Sequence, residues 1–172
     1  NEIYERLAPI RLFVGTINSL CGRMELFNLK PIDVAIIDEA SQVLEPQLLP
    51  LLCATTNAHS GDYRLRRSAI SKFILIGDHK QLPAVVTQPT EYSRVTNDLL
   101  NEIGLTDCRN SFFERLHNLQ KKWNLEYTTA MLHKQGRMHP ALSDFVNQHF
   151  YGGHLDIVPV PHQLEELEFT IC

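Results

Sequence analysis

Two short apolar runs in this sequence end abruptly in acid. Val34-Ala35-Ile36-Ile37 is followed at once by Asp38-Glu39, and Phe73-Ile74-Leu75-Ile76 by Gly77-Asp78. A carboxylate placed directly after a buried strand sits on a rigid support, at the strand end where open parallel sheets take their ligands. An aspartate there can position a hydrated magnesium ion, which prefers oxygen ligands and keeps several of its waters. A glutamate beside it can take a proton from water attacking a phosphate. The plainer alternative is that Asp38 or Glu39 caps a following helix, and the pair alone leaves both readings open. A paired-carboxylate hydrolase fits poorly, because neighbours on one strand point to opposite faces and cannot flank a substrate.

The elements that must hold these groups follow from pattern. Four segments read as strands: Leu12 to Val14 before Gly15-Thr16, Val34 to Ile37, Phe73 to Ile76, and Tyr127 to Leu132 before Lys134-Gln135. The second and third are continuous rather than alternating, which predicts strands covered on both faces, as in a parallel sheet. Glu45-Pro46 opens an apolar stretch, Gln47 to Cys53, suited to a helix packed on that sheet. Ser111-Phe112-Phe113-Glu114 is a capping-box pattern. Phe112, Phe113, Leu116, Leu119 and Trp123 then recur at helical spacing, which predicts a core-facing stripe. Pro140 suits a first helical position, Leu142, Phe145, Val146 and Phe150 form an apolar face, and Gly152-Gly153 supplies the stop. Strand–helix alternation of this kind predicts an α/β fold with right-handed crossovers. Residues 57–71, which include Arg64, Arg66 and Arg67, read as a polar surface insertion, and residues 87–97 as a second polar connection.

A length of 172 residues allows one well-buried domain, and 44% hydrophobic with 21% charged residues argues against disorder. No apolar run approaches the span of a bilayer, so no membrane partner is expected. The net charge of −4 offers no global basic field for nucleic acid, which counts mildly against a stand-alone nucleic-acid binder. Cys21, Cys53, Cys108 and Cys172 are widely spaced with no C-x-x-C pair, which favours reduced thiols over a zinc site or disulfide framework. The start, Asn1-Glu2-Ile3, has neither an initiator Met nor a signal pattern and reads as a cut end inside a longer protein.

Three longer segments carry a resemblance. They are V-A-I-I-D-E-A-S-Q (34–42) with Glu45-Pro46 beyond it, I-L-I-G-D-H-K-Q-L-P-A-V-V (74–86), and Q-G-R-M-H-P-A-L-S-D-F (135–145) with Phe150-Tyr151-Gly152 after it. In this order they resemble motifs II, III and IV of superfamily 1 helicases. They look most like the 5′→3′ branch that contains the nonsense-mediated-decay helicase and its DNA-replication and tRNA-splicing relatives. Thr16-Ile17-Asn18-Ser19 is similar to that branch's nucleic-acid-contacting T-x-x-S region, and Ser111 to Leu116 to a further family segment. The resemblance implies a RecA-like parallel β-sheet flanked by helices, the P-loop NTPase fold without its phosphate-loop segment. Residues 1–155 would form part of the first motor domain, and 156–172 would begin a linker or the second.

What the resemblance implies for chemistry is specific. ATP and Mg2+ are the expected cofactors, and single-stranded DNA or RNA the expected partner, in the cytoplasm or nucleus. Asp38 would hold magnesium through water, and Glu39 would be the general base. Gln42 is expected near the attacking water or the terminal phosphate. Gln81 would sense the γ-phosphate, with Gly77 and Asp78 shaping its turn. Arg137 would place its guanidinium on the γ-phosphate, where charge develops. Thr16 and Ser19 would donate hydrogen bonds to backbone phosphates.

The sequence also departs from the pattern. It contains no G-x-x-x-x-G-K-S/T, and the resemblance implies that the backbone cradle and lysine for the phosphates would come from the remainder of the polypeptide, as would the second motor domain. The isolated chain is therefore expected not to hydrolyse ATP. Gly136 stands where the family usually has Tyr, which removes a ring able to stack near the nucleotide, and Ala84 where many relatives have Pro. Gly136 favours a competing reading, a non-catalytic module that binds nucleic acid or a protein. Intact Asp38, Glu39, Gln81 and Arg137 favour the motor. The arginines of 57–71 read as a solvated face, and His79 and His139 are assigned no role.

Overall fold

The computed structural model describes residues 2–56, 67–158 and 160–161. Two units, Asn1–Leu125 and Glu126–Cys172, are each described by themselves. In chain order the first unit carries α1 (Glu2–Leu7), α2 (Ile17–Cys21), α3 (Glu25–Leu29), β1 (Ile32–Ile37), α4 (Glu45–Leu52), β2 (Thr55–Thr56), β3 (Arg67–Ser68), β4 (Ile70–Leu75), α5 (Asp98–Glu102) and α6 (Phe112–Trp123). Single 3-10 turns lie at Ala40–Gln42 and Thr90–Tyr92.

The two runs that end in acid do pair. β1 and β4 are parallel, with Ile36 opposite Ile74 and Ile37 opposite Leu75, so both strands stop at the same level. Parallel neighbours need a long crossover, and α4 lies within it. Side chains alternate across the pair. Ala35, Ile37, Phe73 and Leu75 face a core built from Phe27, Leu48 and Leu51, with Ile17, Leu20 and Met24 packed against it. Val34, Ile36, Ile74 and Ile76 lie exposed on the other face, Ile36 at 64%. The expected cover on both faces is thus not what the described residues show. A continuous apolar run reports composition, whereas the helices that pack here all approach from one side.

Other expectations fare differently. Leu12 to Val14 forms no strand, and both Leu12 and Val14 are exposed. An extended segment gains its stability from ladder partners, and this one has none among the described residues. Residues 57–66 of the expected insertion lie outside the described residues. Of its remainder, β3 pairs antiparallel with β2, and Ala69 and Ile70 are buried. The connection after β4 is knitted by Arg109, which donates to Asp107 at 2.7 Å and to Thr90 at 2.7 Å. The Arg109 hydrogen bonds hold the Asp107 carboxyl well below the usual carboxylate range.

Of the capping box predicted at the start of α6 the structure shows the serine half, with Ser111 Oγ accepting from the Glu114 N–H at 3.1 Å. Its stripe is core only in part: Leu119 is buried and Phe112 and Phe113 are half-buried, but Leu116 and Trp123 are exposed. α6 is fixed to the start of α4 by a buried ion pair. Arg115 Nε and Nη2 donate to the two Glu45 carboxylate oxygens at 2.7 and 2.5 Å, with the two side chains only 9% and 10% exposed.

In the second unit, Tyr127 to Leu132 is not a strand either. A 3-10 turn occupies Glu126–Thr128, and β5 (Lys134–Gln135) pairs parallel with β6 (Asp156–Ile157). α7 (Pro140–Phe150) begins at Pro140 and is followed by Gly152 and Gly153, both at positive φ, as the pattern predicts. The Asn147 side chain ties α7 to the segment before β6, donating to Leu155 O and accepting from its N–H, both at 2.9 Å. The apolar face does not become core: Leu142, Phe145 and Phe150 are exposed, while Ser143 is buried. The fold class is α/β with parallel strand pairs, and no helix among the described residues is long and apolar enough to cross a membrane.

Candidate functional site

Where β1 and β4 stop together, each chain turns sharply. Beyond β4 the Ile76 N–H donates to Ile37 O at 2.8 Å, and the Ala40 N–H donates back to Ile76 O at 2.8 Å. The two turns then meet. The Asp78 N–H donates to Ser41 Oγ at 3.1 Å, and Gly77 lies so close that a Cβ there would sit 2.8 Å from Ser41 N and 3.3 Å from Ala40 N. Only glycine permits this approach. Gly77→Ala is expected to force the turns apart and cost about 1–3 kcal/mol, the usual range for overpacking. Urea unfolding of the variant measures it, and an unchanged midpoint would show the contact to be slack.

The first turn carries Asp38, Glu39 and Gln42, all exposed. Asp38 Oδ1 accepts from the Glu39 N–H at 3.0 Å, and Gln42 Nε2 donates to Glu39 Oε2 at 3.2 Å. Neither acid caps a helix: the following 3-10 turn has no side-chain cap. Glu39 is instead held in the left-handed region, at φ 51° and ψ 36°. Outside glycine only Asn124 shares a positive φ among the described residues, and Asn124 is the C-cap of α6. Such a backbone costs about 1–3 kcal/mol and persists where the surroundings over-determine it, commonly at functional sites.

The second turn carries Asp78 and Gln81. Asp78 Oδ1 accepts from the Lys80 N–H at 2.9 Å, and Oδ2 accepts from Gln81 Nε2 at 3.0 Å. Gln81 is exposed, while Gly77 and Asp78 are half-buried. The His79 ring lies against His117 of α6, with centroids 4.5 Å apart. Burial first, then the charges of Lys121, His79 and Lys80, hold His117 below the ordinary imidazole range.

Thr16 and Ser19 lie in the same unit at α2. Thr16 Oγ1 accepts from the Ser19 N–H at 3.2 Å and so caps the helix, and Ser19 Oγ accepts from Arg23 at 3.0 Å. Both hydroxyls keep a proton to donate. Arg137 belongs to the second unit, exposed, in a loop folded around Gln135. Gln135 Oε1 accepts from the N–H groups of Arg137 and Met138 at 3.0 and 2.9 Å. A Cβ at Gly136 would meet only Val158, at 3.9 Å, so the backbone there does not demand glycine.

Sequence reasoning singled out the residues on both turns but missed Ser41, which joins them, and the Glu45–Arg115 pair that fixes α6 to the start of α4. The glycine directly before Asp78 was the available signal, since it marks a close backbone approach.

The donor set suits magnesium, with carboxylate oxygens at Asp38, Glu39 and Asp78 and no sulfur or imidazole on the first turn. No three His, Cys, Asp or Glu side chains converge among the described residues. A magnesium ion bound through one carboxylate, waters and phosphates needs no such cluster.

Residues 10–89 and residues 108–168 each match a family described as AAA domain. The chain is 34% identical over 125 residues, 72% of its length, to a probable helicase, MAGATAMA 3, of Arabidopsis thaliana. It is 33% identical over 121 residues, 70% of its length, to a regulator of nonsense transcripts 1 homolog of Neurospora crassa. It is 30% identical over 156 residues, 90% of its length, to an uncharacterized ATP-dependent helicase of Methanocaldococcus jannaschii. The chain spans 11%, 8% and 17% of the length of these three relatives.

Proposed function

Since the chain belongs to the superfamily 1 helicase-like family, of which it carries a part, we propose that it supplies the magnesium-holding, hydrolytic and phosphate-sensing segments of an ATP-driven nucleic-acid motor. The observation that carries this reading is the joining of the two acidic turns at the level ends of β1 and β4.

In this reading Asp38 holds a magnesium ion through its waters. When bound, the ion would supply positive charge to offset that of the phosphates. The Glu39 carboxylate accepts the proton of the attacking water, and Gln42, bonded to Glu39 Oε2, helps to orient that water or the terminal phosphate. Gln81, supported by Asp78, registers the γ-phosphate, and Gly77 gives the turn its shape. Arg137 contributes a fixed positive charge to the γ-phosphate, and Thr16 and Ser19 donate to backbone phosphates of a single strand of DNA or RNA. Residues 1–155 belong to the first motor domain, and 156–172 begin a linker or the second. Further polypeptide supplies the phosphate loop and the second domain, and the parent protein works in the cytoplasm or nucleus.

ATP turnover by this chain and by the complete protein, with and without magnesium and single strands, tests the division of labour. The chain alone is expected to be inactive and the complete protein magnesium-dependent and stimulated by single strands. Turnover by the chain alone, abolished by Glu39→Gln, would overturn the first expectation. A complete protein that binds single strands without any turnover would replace the motor with a non-catalytic binding module, the reading that Gly136 favours.

A further inference from the structure

We infer that Ser41 is a positioning residue that makes the metal-and-base turn and the phosphate-sensing turn move as one body. The inference rests on the reading just given, because it assigns a tie between two groups whose roles that reading supplies.

Ser41 is anomalous in its setting. Its neighbours Glu39 and Gln42 face water, yet Ser41 is only 5% exposed and lies beside the fully buried Ala40. Burying a hydroxyl is unfavourable unless it is hydrogen-bonded. Its partner is the backbone N–H of Asp78, 37 residues further along the chain. The same serine presents its own backbone nitrogen to Gly77, whose missing side chain allows the approach. Ser41 is thus seated against the second turn by both its hydroxyl and its main chain.

Contacts run outward from this seat on both sides. On one, the 3-10 turn Ala40–Gln42 carries Gln42, whose amide holds Glu39 Oε2. On the other, the Asp78 carboxylate holds the Lys80 N–H and the Gln81 amide. A shift of the first turn as a metal docks at Asp38 is passed to Gln81 through the Ser41–Asp78 bond. The bond from Ala40 N–H to Ile76 O lies nearer the strand ends and is independent of side-chain identity. It keeps β1 and β4 in register without reaching Asp78, so Ser41→Ala removes the hydroxyl tie to Asp78 and leaves the strand pairing and the main-chain approach to Gly77 in place.

The experiment compares nitrogen-15-labelled wild-type chain with Ser41→Ala by amide NMR, with Mg2+ alone as the probe. In the wild type, Mg2+ is expected to shift the amides of Asp38 and Glu39 and also those of residues 78–81. In Ser41→Ala the first response persists and the second is diminished. A residue that merely supported the fold would leave both or lose both. An undiminished response at residues 78–81 in Ser41→Ala overturns the inference. Hydrogen exchange decides the same point without metal: the Asp78 amide should exchange about tenfold faster in Ser41→Ala, the loss of one ordinary hydrogen bond, while the Ile76 amide keeps its rate. Unchanged exchange at Asp78 also overturns the inference. If Mg2+ alone moves neither Asp38 nor Glu39 in the wild type, as expected of an ion that also needs a nucleotide's phosphates, the exchange result alone judges Ser41.

Discussion

Glu39→Gln in the complete protein is expected to slow ATP turnover by about 10²–10⁴-fold, the range a positioned general base contributes. ATP binding should remain largely intact. The substitution is a clean one for geometric reasons. Gln42 Nε2 donates to Glu39 Oε2, and the amide oxygen of a glutamine at residue 39 accepts the same bond. The left-handed backbone at this position is no harder for glutamine than for glutamate. What disappears is the capacity to take a proton. Single-turnover hydrolysis and equilibrium ATP binding, measured side by side, separate the two effects. Hydrolysis at the wild-type rate would remove Glu39 from the role of base.

Arg115→Ala is expected to destabilise the first unit by about 3–5 kcal/mol, because it strands the Glu45 carboxylate in a buried site without its partner. The arginine also donates to Ile103 O at 2.8 Å and lies 5.1 Å from the Phe112 ring, so truncation removes packing as well as charge. Replacing both members of the pair by apolar residues of similar volume should recover most of the loss, since it leaves no unpaired buried charge. Trp123, the chain's single tryptophan, lies on the same helix and reports unfolding in urea by its fluorescence. A loss below about 1 kcal/mol would place this pair with ordinary surface salt bridges. The effect reaches the site, because Phe112 and Phe113 at the start of α6 pack against Ile37, Ala40 and Leu48 beneath the first turn.

The sequence announced both acidic turns because each combines a short apolar run, an abrupt carboxylate and, at residue 77, a glycine. Those signals are local, and so they survive without knowledge of the fold. The Ser111 cap and the Pro140 start were legible for the same reason. The Glu45–Arg115 pair was not, since its members are 70 residues apart and neither belongs to a periodic pattern. Ser41 was hidden differently. A small polar residue in a turn looks like any other until its burial is known. Leu12 to Val14 and Tyr127 to Leu132 have strand composition without strand structure, because composition cannot supply the neighbour that a ladder needs. The exposed face of Val34, Ile36, Ile74 and Ile76 teaches the same lesson from the other side.

The left-handed backbone at residue 39 makes the aim of its carboxylate conditional. Relaxation toward the broad extended basin would release the local strain and swing the side chain elsewhere, so residue 39 stays cocked only while the Ala40 and Ser41 that follow it remain buried. Loss of that burial would redirect the side chain before it altered the secondary structure. Such a variant would have a normal circular dichroism spectrum, and its defect would be found only by looking at the turn itself.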